Sequence, residues 1–131
     1  MNNMEKSELV VARVLSKLMD TGFTESDLSF DDLGLEPEYE AFFDLSVQWL
    51  LDEGIIRARE FVKFVGMTGA LNAPVLTAYG LSLLNQPSPV GNKETMGKAV
   101  KAVSKEGRSY AGIGDFIGGV LGGFTKSMGS G

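Results

Sequence analysis

The chain has no cysteine and no histidine among its 131 residues. The first absence excludes a disulfide framework and thiolate chemistry. The second removes imidazole catalysis and the common zinc sites, and it leaves the serines with no partner to activate them. Positions 36 to 53 lack any lysine or arginine while holding Glu36, Glu38, Glu40, Asp44, Asp52 and Glu53. An apolar run of membrane-spanning length is also missing. The uncharged stretch Phe116 to Thr125 is ten residues long, against the roughly 20 that a bilayer requires.

Hydrophobic content of 44% is that of a folded protein. The net charge of −5 conceals a division. Residues 1–87 carry six Lys and Arg against fourteen Asp and Glu, whereas residues 88–131 carry six against three. A basic tail behind an acidic front needs an anionic partner, either an outside surface or the front domain itself. Met1 to Leu18 alternates charge with apolar residues and has no apolar centre of the signal-peptide kind, so a cytoplasmic address is expected, with peripheral membrane contact through the tail as its extension.

The apolar spacing predicts an amphipathic helix over 5–20, with Val11, Val14, Leu15 and Leu18 on one face and Gly22 as its C-cap. Thr24 can cap a short second helix with Leu28 and Leu33 inward. Pro37 opens a third, whose Tyr39, Phe42, Phe43, Val47, Trp49, Leu50 and Leu51 make it the centre of the core. Residues 55–65 alternate. Ile56, Ala58, Val62 and Phe64 share one face, and Arg57, Arg59 and Lys63 the other. Gly66, Gly69 and Asn72 read as a loop, Val75 and Leu76 as a return strand, and Thr77 as the cap of a helix over 78–85. Residues 1–87 close on themselves as a domain, 88–92 read as a linker, and 93–131 form a tail.

In the tail, residues 93–106 set Met96, Val100 and Val103 opposite Lys98, Lys101 and Lys105. Further on, Gly114, Gly118 and Gly122 recur every four residues among Ile113, Phe116, Ile117, Val120, Leu121 and Phe124. Each glycine costs a helix roughly 1 kcal/mol relative to alanine. Their spacing instead lets another backbone approach closely. Gly114, Ile117, Gly118, Leu121, Gly122 and Phe124 are thus the candidates for assembly or membrane contact. Lys98, Lys101, Lys105, Arg57, Arg59 and Lys63 are the candidates for an anionic surface. The terminal 129–131 is left out of this reading, since Gly-Ser-Gly also fits an expression scar.

The segment Trp49-Leu-Leu-Asp-Glu-Gly-Ile-Ile-Arg, followed after the loop by Leu76-Thr-Ala-Tyr-Gly-Leu-Ser-Leu-Leu, resembles the winged-helix superfamily over about residues 5–85. The resemblance implies a mainly α fold: a small winged helix of three helices, a β-hairpin wing and one further helix, then a linker and a helical glycine-rich tail. It also implies a third helix that reads DNA, but an acidic helix would be repelled by phosphate. The expected function is therefore a non-catalytic adaptor or sensor for a macromolecular partner, most naturally a protein, with the tail giving assembly or membrane contact. The alternatives are a DNA-binding regulator dimerised by its tail and a small membrane-active effector. Adjacent carboxylates such as Asp31-Asp32 do not face each other on a helix and fit surface charges better than an acid/base pair. No catalytic, cofactor or metal residues, and no small-molecule substrate, are expected.

Overall fold

A computed structural model describes residues 2–87 and 95–106, with the side chains of residues 103, 105 and 106 left out. The first helix, α1 (Asn3–Thr21), is closed at its start by a capping box: the Asn2 side chain accepts from Glu5 N, and Glu5 accepts from Asn2 N. Gly22, at φ +62°, ends it with its N–H on the Leu18 carbonyl. Leu9, Val10, Val11, Ala12, Val14, Leu15 and Leu18 are all buried, so α1 is covered on more than one side. It is the axle of the core.

The next segment corrects the fold expected from the sequence. Thr24 caps no helix: its hydroxyl donates to the Thr21 carbonyl and pairs with Ser26. Leu28 and Ser29 form strand β1 (Leu28–Ser29), paired antiparallel with Leu71 and Ala70. Asp27 holds this crossing from the side, accepting from Asn72 Nδ2 at 3.0 Å and from Ala73 N at 3.4 Å. Only a 3-10 turn, Phe30–Leu33, stands where the second helix was expected. Pro37 opens a second 3-10 turn, Pro37–Phe42, and the α-helix proper, α2 (Phe43–Asp52), starts six residues later. Residues 24–33 therefore form no α-helix to complete the three-helix winged arrangement that the resemblance implied. Among the described residues four α-helices and two small antiparallel sheets take its place.

The expected wing is also rebuilt. Strand β2 (Ile56–Arg57) pairs with β5 (Val75–Leu76) as one sheet, while β3 (Glu60–Phe64) and β4 (Met67–Asn72) join β1 in another, ordered β1-β4-β3. Residues 67–72, expected as loop, are thus a strand. The single alternating face expected over 55–65 breaks because its two halves belong to different sheets. Ile56 is buried, but in β3 it is Phe61 that packs on the core, and Phe64 is exposed.

Helix α3 (Ala78–Leu84) starts at Thr77, whose hydroxyl accepts from Gly80 N at 2.9 Å. Gly80 lies so near Ile55 that a Cβ there would meet its carbonyl oxygen at 2.1 Å. Thr95 bridges back to Pro87, and Met96 N donates to the Gln86 carbonyl at 2.7 Å, so the final helix, α4 (Met96–Glu106), begins beside the end of α3. Met96 and Val100 are buried in the same apolar cluster as α1. Gly97 permits this approach, since a Cβ there would stand 3.2 Å from the Leu84 carbonyl oxygen and 3.3 Å from Met19 Sδ. Within the core Phe30 sets its edge on Phe43, ring centroids 6.0 Å apart. Trp49, Phe42 and Leu51 pack at the margin rather than the centre.

Candidate functional site

The two-residue connection between β3 and β4 projects an apolar tip. Phe64 and Met67 are cross-strand partners, and Val65 and Gly66 form the turn between them. Gly66 takes φ +81°, the left-handed conformation this tight reversal needs and glycine supplies without strain. Phe64, Val65 and Met67 are 49%, 104% and 64% exposed. Single exposed apolar side chains are ordinary, but here three adjoin on one rigid projection. Met4, Phe23, Leu45 and Leu81 are also exposed, yet each comes from a different segment of the chain.

A bulge fixes the direction of the tip. Val62 faces Ala70 and Phe64 faces Met67, so Lys63 alone opposes both Thr68 and Gly69. The extra residue turns Gly69 N toward α2, where it donates to Asp44 Oδ1 at 2.8 Å. Thr68 Oγ1 meets Glu40 Oε2 at 3.2 Å. Phe61 lies against Gly69, where a Cβ would stand 2.7 Å from the ring and 2.6 Å from the Val62 carbonyl. Two carboxylates of the acidic segment therefore brace the hairpin.

Among the described residues, the expected anionic-surface side chains differ in their surroundings. Arg57 and Lys63 are exposed, but Lys63 Nζ lies over the Phe61 ring, 5.3 Å from its centroid. Arg59 is held by Glu25, and this hydrogen bond and charge keep the Glu25 carboxyl below its ordinary value. Lys101 pairs with Asp20 across α1 and α4, whereas Lys98 is exposed beside an open cleft with Met19 and Leu81. The side chain of Lys105 and all of Gly114, Ile117, Gly118, Leu121, Gly122 and Phe124 lie outside the described residues.

Sequence reasoning placed Phe64 inward and did not single out Val65 or Met67. The available signal was Phe64-Val65-Gly66-Met67 itself: consecutive apolar residues at a glycine turn present both faces of a strand, so one must be exposed. Among the described residues no helix is long and apolar enough to cross a membrane, and no group of three or more acidic residues is placed to hold a metal ion. Searched against protein-family models, curated proteins and solved structures, the chain matches none.

Proposed function

We propose that this protein is a non-catalytic binding module whose β3–β4 tip seats in an apolar depression on a protein partner. The observation that carries this reading is the contiguous exposure of Phe64, Val65 and Met67 on a braced hairpin. Apolar residues on a preorganised turn give a partner buried area at little ordering cost. The charge beside the hairpin favours protein over nucleic acid: Glu40 and Asp44 contact β4, the segment 36–53 that holds them has no lysine or arginine, and Lys63 is the one cation next to the tip in sequence. Several carboxylates have structural work instead: Asp44 and Glu40 brace β4, Asp27 the β1 crossing, and Asp32 the Ser29 cap. The glycine-spaced segment 114–122 extends the reading from sequence, adding self-assembly or membrane contact.

The test is a photocrosslinking residue at position 65 of the full chain in native extract, compared with a variant carrying Val65→Asp and Met67→Asp. One partner should crosslink at position 65, and its co-purification should be lost with the paired variant. Stability should stay within about 0.5 kcal/mol, as for exposed positions generally. Retention of that partner by the paired variant at unchanged affinity would sink the proposal.

A further inference from the structure

A cavity of about 490 Å³ opens between α1, the Phe30–Leu33 turn and α4; its charged lining is Arg13, Lys17 and Lys101 with Asp20 and Asp32, and Ser16, Leu33 and Ser104 complete it. Its cations are not equivalent. Lys101 is matched by Asp20. Arg13 and Lys17, one turn apart on α1, have no carboxylate within ion-pair distance among the described residues. This is a notable choice in a front domain with fourteen acidic side chains. Of the two carboxylates lining the cavity, Asp20 pairs with Lys101, and Asp32 accepts from Ser29 N and Ser29 Oγ at 2.8 and 3.2 Å.

Arg13 is the more exacting case. One guanidinium nitrogen donates to the Leu33 carbonyl at 2.8 Å, which fixes the plane of the group against the 3-10 turn. Its Nε is buried and makes no hydrogen bond among the described residues. Desolvation pulls the guanidinium below its ordinary pKa, the direction expected of a cation stripped of water without an opposing charge. A buried N–H left unpaired carries a desolvation cost, and the same side chain lines the cavity.

We infer that this cavity binds a small phosphate-type oxyanion, with Arg13 and Lys17 as the charged ligands and Ser16 and Ser104 as hydroxyl donors. Guanidinium and ammonium groups together suit tetrahedral oxyanions, the planar fork fixing geometry and the lysine adding charge. The volume lies within the range of small-molecule sites and exceeds what a bare phosphate fills. Among the described residues no aromatic side chain lines it, so these residues offer no stacking surface for a nucleobase. The ligand class is accordingly free phosphate or the phosphomonoester of a small non-aromatic polyol.

The experiment uses the full chain, titrated calorimetrically with inorganic phosphate and, separately, with glycerol phosphate and a hexose phosphate, against chloride at matched ionic strength. Saturable 1:1 binding of any of the three supports the site. The tighter arm identifies the source, free phosphate or phosphomonoester. Arg13→Gln and, independently, Lys17→Gln should each weaken that binding by roughly tenfold, the scale of one charge-assisted hydrogen bond. Lys63→Gln, remote on the hairpin, should leave it unchanged. Lys17 is a half-buried surface residue, so its variant keeps the question open to measurement if Arg13→Gln folds poorly. Absence of saturable binding up to about 10 mM, an affinity below any useful site, would overturn the inference. So would equal affinity in wild type and Lys17→Gln.

Discussion

At the residue scale, Gly80 decides how α3 meets the rest of the fold. Thr77 holds the Ile55 carbonyl through both its N–H and its hydroxyl, each at 3.1 Å, and Gly80 then passes directly over that carbonyl. Alanine at position 80 gains helix propensity but drives a methyl into backbone that cannot rotate away. Gly80→Ala should therefore destabilise by about 1–3 kcal/mol, the range for overpacking, as read from denaturant midpoints. A stabilised variant would mean α3 is free to lift. Glu25 gives a second residue-scale expectation. Its folded pKa is depressed by Arg59, so the pair contributes stability above the ordinary glutamate range and loses it as pH falls through the lowered folded value. Arg59→Gln should move the Glu25 titration back up toward the ordinary glutamate range, followed by carboxyl carbon NMR. Both groups are exposed, so the effect on global stability is small.

Among the elements, α2 and α4 carry the sharpest expectations. Phe43 is fully buried while Trp49 is only half-covered at the margin. Phe43→Ala should cost about 3–5 kcal/mol, and Trp49→Ala distinctly less, in parallel urea titrations. Equal costs would place the indole in the core after all. The sequence also draws a boundary at residue 87, although Met96 and Val100 of α4 lie in the α1 cluster. Two buried side chains of this size are worth about 1.5–3 kcal/mol each. A chain ending at Pro87 should thus be less stable than one ending at Glu106 by several kcal/mol. Coincident midpoints would show that α4 adds nothing to the fold. Helices α1 and α3 were legible because their signals are local: apolar spacing, a glycine stop, a threonine cap. Strand β1 was not, because Leu28 becomes a strand residue only by meeting Leu71 across the fold. The hairpin was half legible. Its alternation was visible, but the change of sheet after Arg57 and the bulge at Thr68–Gly69 depend on contacts with α2 that no short window contains.

For the whole molecule, the distribution of charge matters more than its sum. Glu40 and Asp44 brace the hairpin that carries the apolar tip, and the acidic surplus of residues 1–87 discourages nucleic acid. Generic duplex DNA should therefore show only weak binding that vanishes as salt rises, with any residual affinity arising from the basic residues beyond 88. A sequence-selective site sensitive to charges in α2 would contradict this. The glycine spacing from 114 to 122 was read wholly from sequence, as were Ile117, Leu121 and Phe124. If it brings helices into close contact, Gly118→Leu should block assembly in sedimentation of the full chain, while Gly118→Ala should preserve or strengthen it. Matching effects of the two variants would reduce the ridge to a run of flexible residues.

The pairing of Asp20 with Lys101 joins residues 81 positions apart. Ribosomes add roughly 5–20 residues per second, so α1 emerges about 4–16 s before the turn of α4 that covers it. During that interval Met19 lacks its neighbours from α4, Gly97 among them. The nascent protein must spend those seconds with part of its axle bare, whether in solution or in the hands of a chaperone. Newly made chains should therefore expose apolar surface on α1 that the finished fold covers.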